Sequence, residues 1–324
     1  MLDILSITGP IYIAIALGWL ATRAGLFERA DMRVLGRFVL YVALPALLFD
    51  AVSKRHVADI LDWRYLLVYA LSGLATMGLA LLWFRRVARH AGQGPQLAVV
   101  QSMGAVCPNS GFVGYPINLL VLGGGAAGVI LGMNMLVENL LWIPLLLALL
   151  DAAAGGGHWR QVLRGVAGGL LRNPLVIGLV AGLAAALLGL RLPAAGERTV
   201  TLFAQSSAAA SLFVIGGSLV GLEIRGLRAQ VAQIAACKLI LHPLMALAAL
   251  GLLALLGAPL EDPKLRTGVV LATACPMFGI YPILAQKAGQ EGLAAAALLG
   301  TTVASFFSIS ALLLVLRGLP GWLG

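Results

Sequence analysis

Residues 107–117 read CPNSGFVGYPI, and residues 275–283 read CPMFGIYPI. Both open on Cys-Pro, pass through an aromatic residue and a glycine, and close on Tyr-Pro-Ile, with two residues fewer in the second. The register then returns, because Gly124 matches Gly292 and Gly132 matches Gly300 at the same offset that separates Cys107 from Cys275. Upstream, Leu48-Phe49 matches Leu212-Phe213. One proline-bracketed motif at corresponding places in two halves makes the chain an internal repeat.

What surrounds the motifs fixes the class. The 324 residues are 60% hydrophobic and 11% charged, against about 25% charged in a soluble domain. Apolar stretches long enough to cross a hydrocarbon core recur from Ile4 to Leu316, and their lack of alternation favours helices over a barrel. The breaks between them give an all-α membrane protein of about ten transmembrane helices, near 4–22, 34–53, 65–84, 96–121, 127–150, 173–190, 199–222, 231–256, 266–287 and 293–316. The first lacks a preceding basic residue and a small-x-small cleavage site, so it reads as a retained helix. With an odd number of helices per half, homologous halves enter the membrane from opposite sides, which is an inverted-topology repeat. The division is residues 1–157 for the first five-helix repeat, 158–172 (HWRQVLRGVAGGLLR) for an interfacial linker helix with apolar and arginine faces, and 173–324 for the second repeat.

The formal charge of +9 is spread singly over short loops instead of forming one patch, so it argues for membrane orientation and against a nucleic-acid partner. Loops after odd-numbered helices are richer in arginine, with Arg85, Arg86 and Arg89 the densest group, and the rule that cytoplasmic loops are positive places both termini outside. Cys107, Cys237 and Cys275 show neither CxxC nor Cys/His spacing, so neither a metal nor a disulfide framework is expected, and no cofactor motif survives inspection. Gly123 to Gly128 fits GxGxxG by spelling alone, since no strand precedes it.

Two prolines with a glycine between them break a spanning helix, because proline lacks the N–H and its ring clashes with the preceding turn. Groups freed inside lipid must face protein or a cavity. Paired, proline-interrupted fourth and ninth helices at matched places in inverted halves therefore point to a transporter's binding site. The residues expected there are Pro108, Asn109, Ser110, Gly111, Tyr115 and Pro116 on the first break, and Pro276, Met277, Phe278, Gly279 and Pro282 on the second. Half-helix amides attract a carboxylate, and Asn109 and Ser110 add side-chain hydrogen bonds, although both residue types also bond their own backbone at such breaks.

Other polar residues within the spans are candidates for lining the site or coupling transport to an ion. Glu138 and Asn134 share one face of the fifth helix, and an intramembrane acid marks ion or proton coupling or else holds neighbouring helices together. Lys238 and His242 lie four apart on the eighth helix, where they balance an anion or Glu138, or Lys238 snorkels to an interface. Thr301, Thr302 and Ser305 form a polar stripe on the tenth that lines the cavity or serves as packing glue.

Pro108-Asn109-Ser110 followed by Gly114-Tyr115-Pro116 resembles the fourth-helix motif of the auxin efflux carrier family, which includes plant PIN-type carriers and bacterial malonate-carrier-like members. Leu44-Pro45 through Phe49, Asn173-Pro174, residues 212–216 (LFVIG), Lys238 and His242-Pro243 also look like the bacterial branch. The resemblance implies a scaffold of helices one, two, six and seven, a moving domain that contains the crossover, elevator-like alternating access and a homodimer. One departure is that Met277-Phe278 follows the second Cys-Pro, with no counterpart of Asn109. The function expected is a secondary active transporter of a small organic anion such as a mono- or dicarboxylate in a bacterial inner membrane, with no cofactor and with a proton, a sodium ion or no ion at all as the coupling partner. The alternatives are an ion or solute channel, or a bile-acid/sodium-symporter-like carrier of a larger organic anion. An enzyme is not expected, since clustered acids and metal ligands are missing from the spans.

Overall fold

The computed structural model describes residues 2–55, 61–90, 92, 94–155, 164, 168–169, 171–221, 226–319 and 321–322. Among them every regular element is helical, and the one piece of extended pairing is an isolated antiparallel bridge between Pro108 and Met277. In chain order the helices are α1 (Leu2–Arg23), α2 (Arg29–Ser53), α3 (Trp63–His90), α4 (Pro95–Val106), α5 (Ser110–Leu122), α6 (Gly124–Ala153), α7 (Pro174–Leu187), α8 (Ala194–Ser218), α9 (Arg228–Leu255), α10 (Pro263–Ala274), α11 (Tyr281–Ala285) and α12 (Glu291–Arg317). Six of them, α2, α3, α6, α8, α9 and α12, are long and apolar enough to cross a membrane. Large apolar side chains such as Leu82, Leu202 and Phe307 face outward, as a lipid-embedded surface requires. The chain is a multi-pass membrane protein.

Each proposed break has a local cause. Cys107 and Cys275 precede prolines and take extended backbone, with ψ of 108° and 151° respectively. The ring of a following proline disfavours the α region, so α4 and α10 end there. Pro282 then falls in the first turn of α11, where a missing N–H costs nothing, whereas Pro116 lies inside α5, directly after a π turn.

Proline also explains four π turns, at Val39–Ala43, Ser110–Gly114, Glu138–Trp142 and Cys237–Leu241. Each is followed two residues later by proline, at Pro45, Pro116, Pro144 and Pro243. A proline ring clashes with the carbonyl four residues back, and widening the helix by one residue relieves the clash. Four of the candidate residues, Ser110, Gly111, Glu138 and Lys238, lie on these turns.

Packing sorts the helices into two groups. In one, α1 lies on α8 and α7 lies on α2, with α2 against α8. Glycines set these distances: a Cβ on Gly18 would stand 2.0 Å from the Phe213 carbonyl, and one on Gly216 would stand 1.8 Å from that of Ile15. Small residues that let backbones touch are how helices associate where lipid removes the hydrophobic drive. In the other group α3 packs on α4 and α9, α5 on α6, and α11 and α9 on α12. The largest core cluster lies in this second group, with Tyr65, Phe84, Met103, Trp142, Met277 and Tyr281 in it.

One difference from the expected spans has a simple cause. α3 continues past Phe84 to His90, because arginines in the headgroup region extend a helix beyond its apolar run. Most of the linker helix expected over 158–172 lies outside the described residues.

Candidate functional site

The two breaks meet. The Asn109 amide donates to the Pro276 carbonyl at 2.8 Å, and the Phe278 amide donates to the Cys107 carbonyl at 3.2 Å. Part of the backbone freed by Pro108 and Pro276 is thus satisfied by the opposite break, which lowers the cost that a ligand has to offset. The Asn109 carbonyl accepts from Val113 and Gly114, and its side-chain Oδ1 accepts from the Phe112 amide at 3.2 Å. Asn109 therefore caps α5 through its oxygen, the local role open to this residue type. Its Nδ2 and the amides of Ser110 and Gly111 have no acceptor among the described residues.

The Ser110 hydroxyl leaves the break and donates to Glu138 Oε1. Tyr69 donates to the same oxygen at 2.7 Å. One turn earlier on both helices, Tyr65 donates to Asn134 Oδ1 at 2.7 Å. One turn later the indole of Trp142 covers Gly73, where an added Cβ would stand 2.1 Å from the ring. Three rungs spaced by four residues thus join α3 to α6: Tyr65 with Asn134, Tyr69 with Glu138, and Gly73 with Trp142. Ascending numbers on both sides mean that α3 and α6 run parallel, so the chain between them crosses back, through α4 and α5.

Lys238 is fully buried, so it does not snorkel. It donates to the Thr273 carbonyl at 2.7 Å and to His242 Nδ1 at 2.9 Å. Thr273 lies in the last turn of the half-helix before the second break, where a cation also opposes the helix dipole.

The remaining candidates disperse. Thr301 and Thr302 return their hydroxyls to carbonyls of α12, and Ser305 does so while lying 3.5 Å from the Tyr12 hydroxyl of α1. The first contacts stay within α12, and only the last joins it to another helix. Tyr281, the repeat mate of Tyr115, is buried with its hydroxyl on the Val100 carbonyl at 2.8 Å. Met277 is fully buried, Phe278 half-buried, and Gly279 exposed with no atom within 4 Å of where its Cβ would stand.

A cavity of about 580 Å³ opens between the end of α2, the end of α5, the start of α6 and α8. Among its described lining residues are Asp50, Lys54, Arg55, Tyr115, Gly125, Thr201 and Gln205, so of the expected site residues only Tyr115 reaches it. At its rim Lys54 bridges Glu197 at 2.8 Å and Asp50 at 2.9 Å, and hydrogen bonding by these two carboxylates holds its ammonium above the usual lysine range. Asn109 and Ser110 are 5% and 3% exposed, so the first break is closed in this conformation.

Tyr65, Tyr69 and Trp142 were not among the residues expected from sequence. A signal exists for the first two, since Tyr65, Tyr69, Ser72 and Thr76 trace one polar stripe on an otherwise apolar helix, and all four are buried.

Two helix breaks bonded to each other, with a buried carboxylate held against one of them inside a lipid-facing bundle, describe a membrane transport protein. The chain belongs to the family of membrane transport proteins, whose profile matches residues 7–313, and this is the auxin efflux carrier family that its motifs resemble. It is similar to a "Putative malonate transporter" of Rhizobium meliloti (strain 1021), 29% identical over 319 residues that make up 98% of this chain and 97% of that one. An uncharacterized transporter of Escherichia coli (strain K12), YfdV, is 25% identical over 72% of this chain and 74% of its own. One from Methanothermobacter thermautotrophicus is 28% identical over 73% and 74%.

Proposed function

We propose that the protein is a secondary active carrier of a small organic anion, a mono- or dicarboxylate, which binds at the crossover and moves by elevator-like alternating access. The observation that carries this reading is the crossover itself: paired breaks, with the Ser110 and Gly111 amides and Asn109 Nδ2 unpaired among the described residues and Glu138 attached through Ser110. Unpaired amides at a half-helix start favour a carboxylate, and the name of the Rhizobium relative is in keeping with one.

Ten spans in two inverted repeats suit the packing. Under the repeat, the first and sixth spans exchange, as do the second and seventh, so α1 on α8 and α7 on α2 are the same contact seen twice. The scaffold is α1, α2, α7 and α8, and the moving domain is the other packed group. The cavity reached by Tyr115 is the outward-facing vestibule, since the end of α2 and the starts of α6 and α8 share one side when both termini are periplasmic.

Proteoliposome uptake of labelled carboxylates of one to four carbons tests the assignment. Saturable uptake of at least one, competed by its unlabelled form, is expected. Uptake that grows linearly without saturation, together with single-channel conductance, would point to a channel instead.

A further inference from the structure

Lys238 and Glu138 are the two formally charged side chains buried among the described residues, and each lies within electrostatic reach of the other. The titratable groups that face them are Tyr65 and Tyr69 from α3, Cys107 and Cys275 from the two breaks, and His242 from α9. Phenols and thiols are uncharged at neutral pH. An ammonium can only donate, so the contact of Lys238 Nζ with His242 Nδ1 makes that nitrogen an acceptor and leaves the imidazole neutral with its proton on Nε2. The buried cluster therefore carries one positive and one negative charge.

Its hydrogen bonding is donor-rich. His242 Nε2 and Trp142 Nε1 are buried without an acceptor among the described residues, and the two rings stand 5.5 Å apart. On the acceptor side, Lys238 occupies the Thr273 carbonyl, while Ser110 and Tyr69 both occupy Glu138 Oε1. A sodium ion needs several oxygen acceptors at once, and the carboxylate of the cluster leaves one open, Glu138 Oε2, since Oε1 already accepts from Ser110 and Tyr69. A carboxylate needs donors.

Building on the carrier reading above, we propose that Lys238 is a built-in cation standing in the place of a coupling sodium ion, and that one proton taken up by Glu138 accompanies each anionic charge carried. The charges balance at every stage. Empty, the Glu138 carboxylate and the Lys238 ammonium sum to zero. An arriving carboxylate adds one negative charge, and a proton from the same aqueous side binds Glu138 at Oε2, which accepts from no described residue. Glu138 is then a neutral acid and Lys238 balances the substrate, so the loaded moving domain is also neutral. After the domain moves, anion and proton leave together and the original pair re-forms. The substrate is accordingly a monocarboxylate or a dicarboxylate carrying one proton, since burying a second uncompensated charge is costly.

The test uses the full chain in proteoliposomes with labelled acetate, lactate and malonate as probes. Uptake driven by an inward proton gradient is expected, unchanged when sodium is replaced by N-methylglucamine and unchanged by a potassium–valinomycin potential. Dependence on sodium, or on the potential, overturns the proposal. Glu138→Gln, permanently neutral, is expected to lose the response to a proton gradient and to gain a response to an inside-positive potential, because the anion would then cross without its proton. A variant that keeps its proton-driven accumulation overturns the proposal. Lys238→Met strands a buried carboxylate and can misfold, so its melting temperature is compared with that of Glu138→Gln/Lys238→Met in detergent. The double variant is expected to melt higher than Lys238→Met, and wild-type melting to ignore sodium. The reverse order, or a sodium-dependent rise, overturns the proposal. Both readouts need no substrate, so failure of all three probes to be carried counts against the carrier reading while the melting data still decide on Lys238.

Discussion

Asn109 has two tasks in one side chain. Its Oδ1 caps α5 by accepting from the Phe112 amide, while its Nδ2 is unpaired among the described residues. Asn109→Ala removes both, and the lost cap alone costs about 0.5–2 kcal/mol of stability. Asn109→Asp keeps the cap and replaces the donor with a repelling oxygen. The expectation is near-wild-type unfolding for Asn109→Asp with ligand-induced thermal stabilisation abolished. Retained stabilisation by a carboxylate would move the ligand away from Nδ2. Tyr69 supplies one of two donors to Glu138 Oε1, so Tyr69→Phe is expected to cost about 1.5–3 kcal/mol in unfolding free energy, the range for hydrogen bonds to charged groups. A loss below a few tenths would mean that Ser110 alone holds the carboxylate. Asn109, Ser110 and Glu138 were legible because polar side chains stand out in apolar runs. Tyr65 and Tyr69 were not singled out, since a phenol ring passes for apolar filler in a membrane helix, and only the rungs to Asn134 and Glu138 reveal their use.

Between elements, the parallel contact of α3 with α6 depends on glycine at one rung. Gly73→Ala would push Cβ to 2.1 Å from the Trp142 ring and displace an indole that also packs 4.5 Å from Tyr69, whereas a Cβ on Gly78 of the same helix meets nothing within 4 Å. Overpacking predicts a loss of about 1–3 kcal/mol for Gly73→Ala. Gly78→Ala is expected to be neutral or stabilising by up to about 1 kcal/mol, as helix propensity dictates. Equal effects of the two substitutions on the unfolding midpoint would contradict the rung. The breaks at Cys107–Pro108 and Cys275–Pro276 were readable because proline acts on the residue just before it. The π turns were not, yet Pro144 and Pro243 carry the signal: each prolines' ring reaches back four residues and opens the turn that presents Glu138 or Lys238. What sequence could not supply was the bonding of one break to the other, since nothing in either motif states that the Asn109 amide finds the Pro276 carbonyl.

At the scale of the whole molecule the internal repeat was the strongest sequence signal, and it was legible because glycine and proline positions are set by backbone geometry. The mates nonetheless diverge in use. Tyr115 lines the cavity while Tyr281 is sealed under α4, and Glu138 has no acidic mate on α12, where Thr301, Thr302 and Ser305 bond their own helix. Such asymmetry lies in side-chain partners that pattern matching does not see. The orientation proposed for the bundle predicts that reporters fused at Gly324 and near Arg89 report opposite sides, with Arg89 cytoplasmic; the same side for both would overturn the span count. The central claim is that substrate is carried at the crossover by alternation between two closed-off sides, and counterflow addresses it directly. Proteoliposomes loaded with an unlabelled carboxylate that the protein transports are diluted into a trace of the same labelled compound, with no ion gradient. A carrier predicts transient accumulation of label above its outside concentration, diminished in Ser110→Ala and in Asn109→Asp. Label that only equilibrates, at a rate indifferent to what is inside, would contradict it.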